Sequence, residues 1–480
     1  MTTGLLVPDR EWEAALADPF LRAHEIGVRM LEIGPRLSPL SIRDQMFRAA
    51  VAVDRAREHR LISKEAPILI VGGGAAGGAG AARALRHGID VYLVESNPGL
   101  FYRQSQCSTR WVSPTQYDWP VPHAAEHVYP SPSLAHKRSI ELAWKADFGE
   151  GLARQWRSAL RAWEIKPDAG KLRVLTSTVF EGGLLHQTTR GVRIQAQINP
   201  KAAQDAEFPS FSLVLFAMGL GDEKCTMDGH GSSAFWEEDS FDHEGLGLAS
   251  KPRVLISGGG DGALQDYIRL VTGKKSALEV YENFEIPESD RLELERAITW
   301  AEDHWQRSDV WSTKRWDCDL LRDLHRAYEN EIEKLPKDFW VGLSERVKLR
   351  VPGEMDLVMF HSCDHFGRCY ALNHFVALAL HKLLKVKGVD TIRGHRRIHR
   401  VEGDGCSGKT CAGRDHQVRS VFSDCDNRGG MDSEFLDEGA FQVLVLRNGI
   451  EPPSTLGNAH GTPIRQMLPT HNPWEIKSLP

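Results

Sequence analysis

The chain has 480 residues, 41% hydrophobic and 26% charged, with a formal net charge of −6. That length exceeds one ordinary domain, the apolar share suffices for a sizeable core, and the acidic balance argues against a general nucleic-acid binder. No apolar run has the length of a membrane span, and the opening MTTGLLVPDREWEAALADPF lacks the basic head and apolar run of a secretory leader, so a cytoplasmic protein without a membrane partner is expected. The 8 cysteines (Cys107, Cys225, Cys318, Cys363, Cys369, Cys406, Cys411 and Cys425) are sparse for the length and are expected to be thiols.

Residues 1–66 read as an N-terminal helical extension, with apolar positions at helical spacing in REWEAALADPFLRAHEIGVRMLEIG and SIRDQMFRAAVAVDRAREHRL. PILIVGGG then gives a strand stopped by glycines, AAGGAGAARALRHG a helix, and IDVYLVE a second strand. KLRVLTSTVF and GVRIQAQI read as antiparallel strands, and FSLVLFAMG is an apolar run ended by Gly219. The order recurs in RVLISGGG, the helix ALQDYIRLV and the run ALEVYE. Residues 288–346 are charged, Trp-containing and helical by period, an insertion with solvated faces or a lid or partner surface. TIRGHRRIHRV and HQVRSVFS suggest a strand pair, FQVLVLRNG another glycine-ended run, and the tail after Pro452 is expected to be irregular.

The pattern is an internal repeat of elements rather than of residue identities. It predicts an α/β fold of two Rossmann-like dinucleotide-binding domains with β-hairpin layers. The boundaries are 1–66 for the extension, 67–250 for the first domain, 251–287 with 347–389 for the second, 288–346 for the helical insertion, and 390–480 for a β-rich segment completing the sheet layers.

Gly72, Gly74 and Gly77 satisfy G-x-G-x-x-G: a tight turn, close backbone approach to a pyrophosphate, and close helix packing. Ala75 and Ala76 open the helix and present free N–H groups to phosphate, and Ala81 keeps the helix near the sheet. Glu95 ends the second strand about twenty residues on, where a carboxylate can accept from ribose hydroxyls.

On ILIVGGGAAGGAGAARAL, Glu95 and the later LVLFAMG, the chain resembles the two-dinucleotide-binding flavoproteins, the group that includes disulfide reductases and flavin-dependent monooxygenases. The resemblance implies FAD in the first site. It also implies that Ala217, Met218 and Gly219 occupy the place of the group's Ala-Thr-Gly strand end, with Met for Thr. The group's late Gly-Asp motif has only Gly403-Asp404 as a candidate, in an expected hairpin loop.

Residues 101–124 combine rings, arginines, one thiol and prolines. Arg103 or Arg110 is a candidate for the ribose or pyrophosphate, Tyr117 and Trp119 for packing on a flat ring, and Asp118 or His123 for moving protons at a substrate. The alternative is a buried loop with aromatic packing. Cys107 has no second cysteine along this segment, which argues against a dithiol mechanism.

Cys406 and Cys411, with His416 and Cys425, read as loop thiols, a redox dithiol or a zinc site. FHSCDHFGRCYALNHF gathers His361, Cys363, Asp364, His365, Cys369 and His374 at the end of an apolar run. They could contact substrate or nicotinamide there, with His365 a catalytic candidate, and the spacings fit no standard metal motif.

Gly258, Gly260 and Ala263 give the variant G-x-G-x-x-A, and Glu282 ends the next apolar run as Glu95 does. An acidic residue there favours NADH over NADPH, whereas Asp261 places a negative charge in a loop meant for pyrophosphate. The second loop is therefore either a working site or a degenerate turn. The expectation is an FAD-dependent oxidoreductase, reduced by NADH or NADPH and acting on a small molecule, with oxygen activation as its chemistry. The alternative is a non-catalytic nucleotide-bound scaffold. A homo-oligomer, or a protein partner at the insertion, is compatible with either.

Overall fold

Two parallel sheets organise the chain, each built on an apolar strand that stops at a glycine turn. The computed structural model describes residues 9–34, 41–130, 141–188, 191–200, 208–248, 250–309, 314–403, 415–423 and 435–451. They fall into two compact units: one of the chain up to Gln106 with His127–Gly221, the other of Cys107–Glu126 with Asp222–Glu451. The stretches Cys107–Glu126 and Asp222 onward thus pack with the second unit, whereas the sequence boundary ran to 250.

In the first unit, strands β1 (Glu25–Gly27), β2 (Met30–Glu32), β3 (Ile68–Val71), β4 (Val91–Val94), β5 (Leu172–Leu175) and β8 (Leu213–Phe216) form one sheet in the order β1-β2-β8-β3-β4-β5. Every residue of β3, β4 and β8 is buried, as strands covered on both faces require. Helix α4 (Ala75–Arg86) lies against α3 (Ile42–Glu58). A Cβ on Gly80 would come within 3.1 Å of Leu215 and 3.6 Å of Ala49, so the small residues of α4 set this spacing. Helix α5 (Gly149–Glu164) precedes β5, and β6 (Thr178–Thr188) pairs with β7 (Gly191–Pro200) as the expected hairpin.

Two elements differ from the sequence expectation. HEIGVRMLEIG is not helical throughout: after α1 (Arg10–Ala15) and α2 (Pro19–His24) it forms β1 and β2, turning at Arg29 with φ 56°. Strand β2 pairs in parallel with β8, so the open sheet edge overrides the local helical period. The Arg29 guanidinium is fully buried, paired with Asp9 and donating to the carbonyls of Leu61 (3.0 Å) and Ser212 (3.2 Å). KLRVL likewise leaves the hairpin to become β5, parallel to β4.

The second unit holds β9 (Arg253–Ser257), β10 (Asp356–Phe360), β11 (Ile392–Arg393) and β15 (Val443–Leu446), all parallel, in the order β15-β9-β10-β11. Beside them β12 (Arg396–Glu402), β13 (His416–Phe422) and β14 (Phe435–Phe441) form an antiparallel layer. Helix α6 (Asp261–Thr272) follows β9. ALEVYE is not the next strand but helix α7 (Ala277–Tyr281), capped by the Ser276 hydroxyl accepting from the Glu279 N–H at 3.2 Å. So short an apolar run fits either state by pattern alone. Helices α8 (Glu288–Asp309), α9 (Lys314–Lys334) and α10 (Lys337–Arg346) complete the insertion before β10, and α11 (Ala371–Val386) leads from β10 to β11. The two units share one plan: strand, glycine turn, helix, strand, helix, strand, antiparallel layer and a last strand beside the first.

A buried ion network holds the loops of the second unit. Arg110, 2% exposed, pairs with Asp266 and lies 3.0 Å from Asp239, while Arg447 Nε donates to Asp266 Oδ2 at 2.8 Å. Arg269 reaches Asp239 (2.9 Å) and Asp242 (3.0 Å). Removing the Asp266 carboxylate takes a partner from two buried cations, so Asp266→Ala should cost about 3–5 kcal/mol in urea unfolding. Glu150→Ala, which breaks an exposed 3.7 Å pair with Arg154, should cost at most about 0.5 kcal/mol.

Candidate nucleotide-binding turns

The first turn is shaped by what cannot fit in it. Gly72 has φ 109°, and a Cβ there would sit 2.3 Å from the Ala217 carbonyl oxygen; one on Gly77 would sit 1.8 Å from that of Gly72. Gly74 caps α4 without a side-chain bond, and nothing lies within 4 Å of its Cβ position. The first-turn N–H groups at Ala75 and Ala76 therefore begin an uncapped helix at a partly exposed edge. Gly219, at φ 84°, also borders open space. This cradle fits a pyrophosphate.

Glu95 stands at the carboxyl end of β4, 8% exposed, and its Oε2 accepts the Gly73 N–H at 2.7 Å. Its Oε1 accepts from the N–H and the Nδ2 of Asn97, both at 2.7 Å. Oε2 has capacity for another donor, such as a ribose hydroxyl. Arg103 is exposed and donates to the Gly221 carbonyl at 3.2 Å, two residues beyond Gly219.

The second turn repeats this geometry bond for bond. Gly258 N–H meets the Phe360 carbonyl at 2.9 Å, as Gly72 meets Val94 at 2.8 Å. Arg447 N–H meets Ser257 at 2.7 Å, as Ala217 meets Val71 at 2.7 Å, and Gly367 meets Gly259 at 2.8 Å, as Phe101 meets Gly73 at 2.8 Å. A Cβ on Gly258 (φ 137°) would lie 2.3 Å from the Arg447 oxygen, whereas the Cβ position of Gly260 has only the Arg368 oxygen, at 4.0 Å. Ala263 takes the place of Gly77 and is fully buried.

This register corrects the assignment of Glu282, which is exposed at the C-cap of α7 and ends no strand. The residue equivalent to Glu95 is His361, directly after β10; its Cβ is 2.9 Å from a Cβ built on Gly259, as that of Glu95 is 3.0 Å from one on Gly73. Burial lowers the His361 imidazole to about 4, so it is neutral near pH 7. Asp261 is also not what its position suggested. Its Oδ1 accepts from the Tyr370 N–H (3.1 Å) and Asn373 Nδ2 (2.6 Å), and its Oδ2 from Gln265 Nε2 (3.2 Å), so it ties the start of α6 to the start of α11. Sequence reasoning missed His361 in this role because the strand before it lay beyond a long insertion. MDLVMF was its only signal.

The remaining candidates scatter. Arg110 is 2% exposed, and its guanidinium is taken up by Asp266 and Asp239 in the buried ion network of the second unit. Trp119 is 6% exposed and packs on Phe375 (5.4 Å) and Tyr281 (5.1 Å), and Tyr117 lies 4.2 Å from Tyr370, so this loop packs by its rings. Asp118 is half-buried in the one-turn helix Gln116–Asp118 of the same unit. His123 lies in the short helix Pro122–Ala125, with its side chain outside the described residues.

His365 is 4% exposed, its Nδ1 lying 2.7 Å from the Phe366 carbonyl, so it is enclosed rather than facing a cleft. It belongs to a buried layer with His361, His374 and, from α9, His325, whose Nδ1 is 2.9 Å from His374 Nε2. Tyr328 stacks on His374 at 4.2 Å and donates to Glu302 at 2.5 Å. Among the described residues no group of three could hold a metal. His416 lies 3.1 Å from His230, while Asp404, Cys406, Cys411 and Cys425 fall outside the described residues.

No family model matches the chain, and no curated protein does. Among solved structures it is similar to T. acidophilum thioredoxin reductase (12% identity, 82% of this chain and 79% of that one, TM-score 0.36). It is similar also to a steroid monooxygenase bound to NADP (12%, 82% and 73%, TM-score 0.39) and to the bacillithiol disulfide reductase of Bacillus cereus (8%, 82% and 81%, TM-score 0.37). Likeness of that degree carries no argument about activity. No helix among the described residues is long and apolar enough to cross a membrane.

Two measurements check this geometry. Gly77→Ala should lower stability by about 1–3 kcal/mol in thermal unfolding, since its methyl group collides with main chain, while Ala263→Gly should cost about 1 kcal/mol. Burial holds His325 at about 3, His361 and His381 at about 4, and His374 well below its usual value, so all four are uncharged in the fold. Below about pH 6.5 the unfolded chain binds more protons at these sites, and stability should fall as pH drops towards 4. Glu302, raised to about 7 by burial, opposes this by holding its proton in the fold. Urea midpoints followed from about pH 7.5 to 5 should therefore decline more steeply in Glu302→Gln than in the natural protein.

Proposed function

We propose that the protein is an FAD-dependent oxidoreductase that is reduced by a nicotinamide dinucleotide and acts on a small molecule. The observation that carries this reading is the duplicated turn: two parallel sheets, each with a glycine strand end, an uncapped helix start and open space at the middle glycine. FAD would be held by Gly72, Gly74, Gly77, the N–H groups of Ala75 and Ala76, and Glu95, with Arg103 and Gly219 beside them; the flavin supplies hydride and electron transfer. Cys107, fully buried with its Sγ 3.7 Å from both Thr109 Oγ1 and the Glu237 carbonyl, suits packing better than thiol exchange. That supports oxygen chemistry, as in a monooxygenase, over a dithiol mechanism.

Gly258, Gly260 and Ala263 would receive the nicotinamide dinucleotide. The NADH preference expected from Glu282 loses its basis, because neutral His361 occupies the strand end and places no carboxylate opposite a 2′-phosphate. We read the second turn as accepting NADPH at least as well as NADH.

The purified protein should be yellow, and anaerobic NADH or NADPH should bleach its flavin absorption. Gly74→Asp should lose the flavin, while Gly260→Asp should keep it and lose the bleaching. A colourless protein that does not take up FAD refutes the enzyme reading, and unimpaired reduction of Gly260→Asp makes the second turn a decoy.

A further inference from the structure

We propose that dinucleotide binding at the second glycine turn is coupled to uptake of a proton by the Asp261 carboxylate, so that this residue tunes the site's affinity with pH. The inference rests on reading that turn as a nucleotide site. Asp261 is the first residue of α6 and directly follows Gly260, where the backbone is open to a pyrophosphate. Its three donors, the Tyr370 N–H, Asn373 Nδ2 and Gln265 Nε2, are all neutral. The cations of the region are engaged elsewhere: Arg110 and Arg447 with Asp266, Arg368 with its guanidinium 5.6 Å over the Trp305 ring, and Lys275, which shares a small cavity with Gln265 and Asn373, with its Nζ 3.9 Å over the Trp111 ring.

The groups around Asp261 do not supply a compensating charge. On the loop before α11, the Cys369 thiol is pushed far up by burial and by Asp261 itself, so it stays protonated. On α11, His374 is held neutral. On α8, the half-buried Glu302 is raised to about 7 by desolvation, and Tyr328 of α9 donates to it. On α6 itself, Asp266 is neutralised by its two arginines. A half-buried carboxylate with only neutral donors around it titrates at about 6, above its ordinary value, with desolvation the largest cause.

A pyrophosphate brought beside it adds two negative charges at short range and no cation. The bound state therefore favours the neutral carboxyl, which still accepts from Tyr370 and Asn373 and can donate to the Gln265 carbonyl oxygen once that amide turns over. The balance is one proton from solvent to Asp261 per dinucleotide bound. Above the free carboxyl's own midpoint, binding must weaken as pH rises.

The test is calorimetric titration of the FAD-saturated protein with ADP-ribose, whose pyrophosphate does not titrate between about pH 5.5 and 8.5. Two buffers of different ionisation enthalpy report the protons taken up. We expect uptake approaching one proton per ADP-ribose near pH 7, and affinity about thirtyfold weaker at about pH 8 than at about pH 6. Asp261→Asn should take up none, bind with a flat pH profile, and bind more tightly than the natural protein at about pH 8. Binding without proton uptake in the natural protein overturns the coupling without need of a variant, and so does a pH slope that survives in Asp261→Asn. If ADP-ribose fails to bind, or Gly260→Asp leaves its binding intact, the nucleotide reading of the second turn is what fails, and the coupling falls with it.

Discussion

The contact on which both halves of this fold depend is a glycine pressed onto a carbonyl. Gly72 and Gly258 each lie so close to the main chain after the neighbouring strand that an added Cβ would fall 2.3 Å from an oxygen, that of Ala217 in one unit and Arg447 in the other. Only a residue without a side chain, at positive φ, can take that position. With the strand end so tight, the helix must begin at once, and its uncapped N–H groups face the carboxyl edge of the sheet. Open space at Gly74 and Gly260 follows from the same geometry, so anion-binding capacity is a consequence of how the turn packs.

Legibility in the sequence follows from how local each feature is. The first unit's strand, turn and helix occupy one continuous stretch, and its acidic strand end comes one helix later, so each element could be read where it stands. In the second unit the turn was just as plain, but five helices separate it from its partner strand. ALEVYE, an apolar run at the expected distance, therefore took the place of DLVMF and carried Glu282 with it. HEIGVRMLEIG was misread for a related reason. Its strand state exists because β8 offers a free edge, and nothing within that stretch records a partner nearly two hundred residues away.

Charge is distributed with similar economy. Arg110, Arg269 and Arg447 face the buried Asp239 and Asp266 and, at the surface, Asp242, and the set ties three loops to one helix. The loop read as a candidate flavin contact is held by this set and by ring packing around Trp119. Residue types that suit catalysis also suit this task, which is why arginines and aromatics in a loop misled where glycines in a turn did not.

The two turns have the same backbone but opposite electrostatics. In the first, the helix opens with uncharged Ala75 and Ala76, and the strand ends in Glu95, whose carboxylate already orients the turn through the Gly73 N–H. In the second, the carboxylate has moved into the helix start as Asp261, and the strand ends in a neutral imidazole. A ligand at the first turn meets a fixed acceptor for hydroxyls and no charge beside its phosphates. A ligand at the second meets no such acceptor and a carboxyl poised to change its charge. On the proposed reading, the shared backbone would let both turns take a dinucleotide, and these few side chains would make the two sites bind it differently.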